Sequence, residues 1–301
     1  MSKPVIIAEH VVRRFGKTIA VNDVSLNVQA GSIFGLLGTN GAGKTTLIRM
    51  LAGHLYTCDG SVRVLGEDPR THNTAMRQRI AYVSDRMQLP GWMCLQDVIK
   101  TNSRFFPKWN SELAAQLVQE FQVQPAQRIS TLSLGQKRRA LLLQAICQGA
   151  EVLILDEPFS GLDAIFRRQC LDMLLNAATE HGLTIVVSSH VLTDVERIVD
   201  TIALLDQGRI VTTGNLEDLK NRMRRIRVAG EINNDARKLV ADHMKVMRMR
   251  RAGPGTDLVV DGFNEQQHQA LASTLGDDVR VEHLNLEDIF VELGDQRGAT
   301  Q

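Results

Sequence analysis

"SIFGLLGTNGAGKTT", Ser32 to Thr46, decides how the rest of the chain is read. A compact apolar run enters a glycine-rich loop, and a helical pattern follows it. Gly38, Thr39, Asn40, Gly41, Ala42, Gly43, Lys44 and Thr45 spell the G-x-x-x-x-G-K-[ST] phosphate loop in full, with Thr46 directly after. Backbone N–H groups at the start of such a helix point outward without partners and cradle phosphate oxygens. Lys44 is placed to reach the β and γ phosphates, and the Thr45 hydroxyl to ligate Mg²⁺. A chance glycine-rich turn is the bland reading. It does not account for a complete match between a strand and a helix.

Working outward, Val24, Leu26 and Val28 alternate with polar residues, as on a half-buried sheet. From Asp97 to Cys147 strand signals fade and helical segments dominate, including "SELAAQLVQEF", which opens on Ser111 as a candidate N-cap. Buried-strand runs return at "VLILD" (Val152 to Asp156), "TIVVSS" (Thr184 to Ser189) and "TIALLD" (Thr201 to Asp206). The expected fold is α/β: a largely parallel core sheet covered on both faces, an N-terminal antiparallel β part, and an inserted helical subdomain over about 92–147. Past residue 222 the pattern changes to β-α-β-β-α-β. Strands are expected near Ile226–Ala229, Val246–Arg251, Leu258–Asp261 and Val279–Leu284, and helices near Asp235–His243 and Glu265–Leu275. A short helix at "LEDIFVEL" closes the series. That order is ferredoxin-like, so residues 1–222 and 223–301 are expected to be two domains, the second a small α+β one.

"VLILDEP" supplies the second half of a nucleotide site. A strand ending in acids puts carboxylates at the carboxyl edge of the sheet, where such folds bind ligands. Asp156 is placed to hold Mg²⁺ through water, and Glu157 to polarise an attacking water. The bland reading has both merely ending a strand before Pro158. His190 follows the next core strand, on the edge that would face a γ-phosphate, although a lone histidine is more often structural.

"STLSLGQKRR", Ser130 to Arg139, opens a helix oddly. Ser133 and Gln136 fit a capping box, yet Lys137, Arg138 and Arg139 crowd the first turns, where the helix dipole disfavours cations. Gly135 is a poor helix former there. A docking anion would reconcile these features; an ordinary capped helix is the alternative.

Composition excludes little and agrees with this. Formal net charge is +1 over 301 residues, so the chain carries no strong nucleic-acid signal. The basic runs "RMRRIR" and "MRMRR" are local, and read first as solvated faces. Cys58, Cys94, Cys147 and Cys170 are scattered, arguing against a zinc site or disulfide framework. The stretch "MSKPVIIAEHVVRR" lacks the apolar core of a signal peptide, and no apolar run approaches the roughly 18 residues of a membrane span.

"GTNGAGKTT", "LSLGQ", "LILDEP", "SGLD" and "SSH", in this order over residues 5 to about 220, resemble the ATP-binding cassette (ABC) ATPases. The resemblance implies ATP and Mg²⁺ as cofactors and ATP hydrolysis as the activity, with Lys44, Glu157 and His190 in the catalytic places. It implies a head-to-tail dimer with a second ATPase subunit, in which Ser133, Leu134, Gly135 and Gln136 cap the ATP of the facing subunit. Phe15 takes the adenine-stacking place, Asp163 the D-loop place and His190 the switch place. This sequence departs from the family pattern twice. Leu134 stands for the signature's first glycine, and Asp85, with Gln88 three residues on, stands where the Q-loop glutamine is expected. "GLLGTNGAGKTTL" and "LNLEDIFVEL" resemble ATPase subunits of ABC-2-type exporters, which implies membrane-spanning permease subunits on separate chains. It also implies a place in the cytoplasm, peripheral on the inner face of the cell membrane. A soluble ABC ATPase acting on ribosomes or nucleic acid is the alternative. A regulator without turnover is disfavoured by the presence of Lys44, Asp156 and Glu157.

Overall fold

The structure, a computed structural model, describes residues 3–71, 73–230, 232, 238, 240, 242, 244–253, 255–264, 266 and 279–298. It divides into two compact units, Met1–Thr213 and Gly214–Gln301.

The first unit opens with β1 (Pro4–Phe15) and β2 (Thr18–Gln29), an antiparallel pair that β4 (Asp59–Val64) joins in the order β2-β1-β4. Val24, Leu26 and Val28 are buried in alternation, as their spacing predicts. Between them come β3 (Ile33–Leu37) and α1 (Lys44–Leu51), followed further on by α2 (Thr74–Gln78) and β5 (Ile80–Ser84). The helical insert holds α3 (Leu95–Phe105), α4 (Ser111–Glu120) and α5 (Leu134–Cys147). The N-cap of α4 is Asn110, one residue before the expected Ser111; its Oδ1 accepts the Leu113 N–H at 2.9 Å. The amide reaches the third helical residue, which leaves Ser111 as the first helical residue. Then follow β6 (Val152–Asp156), α6 (Ala164–His181), β7 (Thr184–Ser189), α7 (Leu192–Val195), β8 (Thr201–Asp206) and β9 (Arg209–Asn215).

The core sheet runs β5-β6-β7-β3-β8-β9. Every residue of β3, β6 and β7 is buried, as near-continuous apolar runs require of parallel strands covered on both faces. α1 packs Leu47, Ile48 and Leu51 into a cluster with Phe34, Ile154 and Val186. Burying each such side chain contributes about 2 kcal/mol. The parallel register is what makes a site. Leu37 pairs with Ser189, Asp156 with Ser188, and Ser84 with Asp156, so β3, β5, β6 and β7 end together at one edge.

The second unit holds α8 (Leu216–Arg222), β10 (Met223–Val228), β11 (Lys245–Ala252), β12 (Gly255–Asp261), β13 (Val279–His283) and α9 (Leu286–Gly298). Its four strands form an antiparallel sheet in the order β11-β12-β10-β13, the ferredoxin-like arrangement. Of the helix expected near Asp235–His243, only Lys238, Val240 and Asp242 are described, and all three are helical. The helix expected over Glu265–Leu275 lies, apart from Gln266, outside the described residues. Several arginines of the basic runs pair with acids: Arg225 with Asp288, Arg227 with Asp257 and Glu282, Arg248 with Glu292, Arg250 with Asp257.

Candidate functional site

The phosphate loop is shaped by glycines its own surroundings demand. Gly38 and Gly43 have φ of 155° and 105°. A Cβ on Gly38 would lie 2.2 Å from the Leu205 carbonyl oxygen, and one on Gly43 2.3 Å from that of Ala20. No side chain fits either gap. Gly43 caps α1, and Lys44 begins it with only 5% of its surface exposed. Its Nζ donates to the Gly38 and Thr39 carbonyls at 2.8 and 3.1 Å and lies 3.4 Å from Glu157 Oε1. The ammonium is thus held inside the loop by backbone oxygens that line it.

Asp156 and Glu157 sit against this loop through a hydrogen-bonded cluster. The Thr45 and Ser188 hydroxyls donate to Asp156 Oδ1 at 3.1 and 2.8 Å. The Glu157 N–H donates to Ser188 Oγ at 3.0 Å, and His190 Nδ1 meets Glu157 Oε2 at 2.8 Å. Where Glu157 is ionised its carboxylate only accepts, and the donor of that contact is then His190 Nδ1–H. Burial pushes the Asp156 carboxyl above the usual range, against the two hydroxyl bonds that lower it, with Asp85 and Glu157 adding repulsion. Its Oδ2 is buried without a hydrogen-bond partner. Glu157 adopts φ of 50°, in the left-handed region that side chains disfavour. Ser188 is the residue that sequence reasoning missed. It binds both acids at once, and the only signal was its place in "SSH", at the end of an apolar strand.

The signature turn is built differently. Ser133 caps α5, its N–H donating to Gln136 Oε1 at 2.9 Å and the Gln136 N–H to Ser133 Oγ at 3.2 Å. The crowded cations are each accounted for within the chain, which corrects the charge argument for an anion. Lys137 donates to the Ser130 carbonyl, Arg138 to the Ser84 and Asp85 carbonyls, and Arg139 to the Phe121 carbonyl while stacking 3.6 Å from the Phe166 ring centroid. Gly135 remains unexplained by its own chain. A Cβ there would meet only Ser133 Oγ, at 4.0 Å. Leu134 is 57% exposed, with its Cδ2 3.3 Å from where a Gly161 Cβ would lie.

The remaining nominated residues lie around these two parts. Phe15 ends β1, half exposed, with the Arg13 guanidinium 4.7 Å over its ring. Its cross-strand partner Thr18 is two residues from Ala20, which crowds Gly43. Asp163 caps α6, accepting the Phe166 N–H at 2.8 Å. The Asp85 N–H donates to the Asp156 carbonyl at 3.1 Å, and Gln88 lies exposed three residues on. Among the described residues all four cysteines are free, no cluster of His, Cys, Asp and Glu suits a metal ion by itself, and no helix is long and apolar enough to cross a membrane.

A phosphate loop, an acid-ended strand beside it and an inserted helical segment with a capped, glycine-bearing turn define an ATP-hydrolysing cassette. Comparison with known proteins agrees. The ABC transporter family profile matches residues 21–160. The bacitracin transport ATP-binding protein BcrA of Enterococcus faecalis is 34% identical over 225 residues, covering 73% of this chain and 72% of that protein. The ABC transporter ATP-binding protein YtrB of Bacillus subtilis is 25% identical over 284 residues, covering 93% and 96%. The dimeric structure of MJ0796, a bacterial ABC transporter cassette, superposes with a TM-score of 0.62 at 18% identity, over 70% of this chain and 98% of that one. The chain belongs to the ABC transporter family, as an ATP-binding and ATP-hydrolysing subunit.

Proposed function

We propose that the chain works as one half of an ATP-closed pair, powering export through membrane-spanning permease subunits on separate chains, while peripheral on the inner face of the cell membrane. The observation that carries the paired site is Gly135. Its fold has no steric use for a glycine there, while Ser133 and Gln136 already form a finished helix start. A facing subunit's phosphate then docks on a turn that needs no rebuilding. The dimeric cassette of similar fold supports the pairing, and the transport ATP-binding relatives support the membrane partners.

Within one site, Lys44 exchanges its two neutral carbonyl acceptors for the β and γ phosphates, so that the ammonium meets ionised acceptors. Phe15 stacks on the adenine. The buried, unpartnered Asp156 Oδ2 and the neighbouring Thr45 hydroxyl suit a hard cation. Mg²⁺ held there, through water on the Asp156 side, would neutralise charge on the phosphates. Glu157, held by His190 and by the Ser188 bond to its backbone, accepts the proton of the attacking water. With Nδ1 committed to Glu157, His190 has Nε2 left for the γ-phosphate, and donates to it only when protonated. Asp163 serves at the dimer seam, and Asp85, whose backbone is bonded to Asp156, as the Q-loop sensor in preference to Gln88. The first compact unit carries this chemistry, and the second, which takes in α8 as well as the expected residues 223–301, forms an accessory domain.

Trans-complementation tests the paired site. A subunit carrying Gly135→Asp is mixed with one carrying Lys44→Ala, so that one composite site holds both lesions and the other none. Activity should return in part on mixing. Nucleotide-dependent crosslinking from Ser133→Cys to a cysteine in the opposite loop is the control. A confirmed ATP-bound dimer with neither rescue nor crosslink would leave the capping box as the whole reason for this turn.

A further inference from the structure

Arg138 is only 8% exposed, and its hydrogen-bond partners are carbonyls. One guanidinium nitrogen donates to the Ser84 carbonyl at 2.9 Å and another to the Asp85 carbonyl, while Nε is buried without a partner. Burial pushes its pKa down, against the favourable charge of Asp85. A buried guanidinium held this way carries a desolvation penalty that apolar packing would avoid, so its geometry needs a reason.

Its position supplies one. Arg138 stands two residues after Gln136, on the rigid start of α5 that Ser133 and Gln136 lock. The carbonyls it grips belong to the last residue of β5 and the one after, where the chain leaves the core sheet toward the helical insert. On the other side of that backbone, the Asp85 N–H donates to the Asp156 carbonyl, and Ser84 is in register with Asp156. A continuous chain of bonded groups therefore runs from the signature turn through Arg138 to the acid of the same subunit's nucleotide site. The planar guanidinium fixes two acceptors at a set angle, which a single ammonium does not.

We infer that Arg138 is a positioning residue coupling each subunit's signature turn to its own Asp156, so that seating the facing ATP on Ser133–Gln136 sets the end of β5 for hydrolysis. This rests on the paired-site reading above. The test uses the full chain with Arg138→Met, Arg138→Lys, Glu157→Gln and the Glu157→Gln/Arg138→Met double variant. Binding of a fluorescent ATP analogue with Mg²⁺, steady-state turnover and melting temperature are measured for each. Arg138→Met removes both charge-assisted bonds and should lower kcat about tenfold, while the dissociation constant stays within about threefold. Arg138→Lys keeps the charge and should recover only part of kcat. Glu157→Gln and the double variant should both form the ATP-bound dimer, because capture of the facing ATP does not pass through Arg138.

Wild-type kcat in Arg138→Met would overturn the inference. So would full recovery by Arg138→Lys, which would assign the effect to charge alone, or loss of the dimer only in the double variant, which would place Arg138 in dimer closure. If Arg138→Met does not fold, Arg138→Lys carries the test, and unchanged kcat in it overturns the geometric role. Normal turnover and no ATP-bound dimer in Glu157→Gln would bring down the paired-site reading instead.

Discussion

The phosphate loop and the signature turn each begin a helix with a glycine close by, and the two glycines answer to different masters. At Gly43 the fold forbids any other residue, since φ is 105° and the Ala20 carbonyl fills the space of a Cβ. At Gly135 the fold is indifferent, because the position is helical and open. The loop is thus complete within its own subunit, with its lysine already seated on backbone oxygens. The signature turn is complete only as a helix start. A glycine its own chain does not need leaves open space beside that start, where the facing subunit's phosphate is proposed to dock.

The sharpest blow to the loop half is Glu157→Gln. Turnover should fall by about two to four orders of magnitude, the range associated with a positioned proton acceptor. Binding should persist, and the ATP-bound dimer should accumulate on size exclusion. Near-normal turnover would remove Glu157 from the reaction. Lys44→Ala comes next. It removes the cation proposed to face phosphate, and affinity should drop on the order of tenfold or more by equilibrium binding.

Glycine replacements then test the comparison itself. Gly43→Ala should destabilise the chain by about 1–3 kcal/mol, because a left-handed conformation and a carbonyl clash oppose it together. Gly135→Ala should leave the melting temperature unchanged or slightly raised, since alanine is the better helix former by up to about 1 kcal/mol, and should still lower turnover. If both variants lose stability alike, the two glycines serve the same purpose and the contrast fails.

The sequence made the loop half legible because its residues are fixed by local backbone geometry. A strand, a turn with positive φ and a helix start leave a pattern at consecutive positions, from Gly38 to Thr45. The buried apolar strands were legible for a related reason, since every residue of "VLILD" lies inside. Ser188 was not, as its role arises where β7 comes to lie beside β6. The cations after Gln136 were misread because charge in a first turn looks like a solvent-facing cost. Arg138 and Arg139 instead reach carbonyls on distant segments, at Ser84, Asp85 and Phe121. Asn110 displaced Ser111 as a cap because both are good caps, and only the observed bond to Leu113 separates them. The acids that pair with Arg225, Arg227, Arg248 and Arg250 come from β12, β13 and α9, again beyond local pattern.

The smallest effect is also the finest probe of what the signature turn is for. Ser133→Ala removes the cap and should cost about 1 kcal/mol of stability, whatever the turn contacts. Taken alone, that loss says nothing about ATP. Ser133→Asn keeps an N-cap of equal rank, so stability should stay within a few tenths of a kcal/mol by thermal or urea unfolding. The amide is bulkier than the hydroxyl, and it projects at the start of α5, where the facing phosphate is proposed to dock. If the turn is only a helix start, Ser133→Asn should match the wild type in both stability and turnover. If it is half of a shared nucleotide site, turnover should fall in Ser133→Asn while stability holds. An active, stable Ser133→Asn would return the turn to the status of an ordinary cap and leave Gly135 without a partner to explain it.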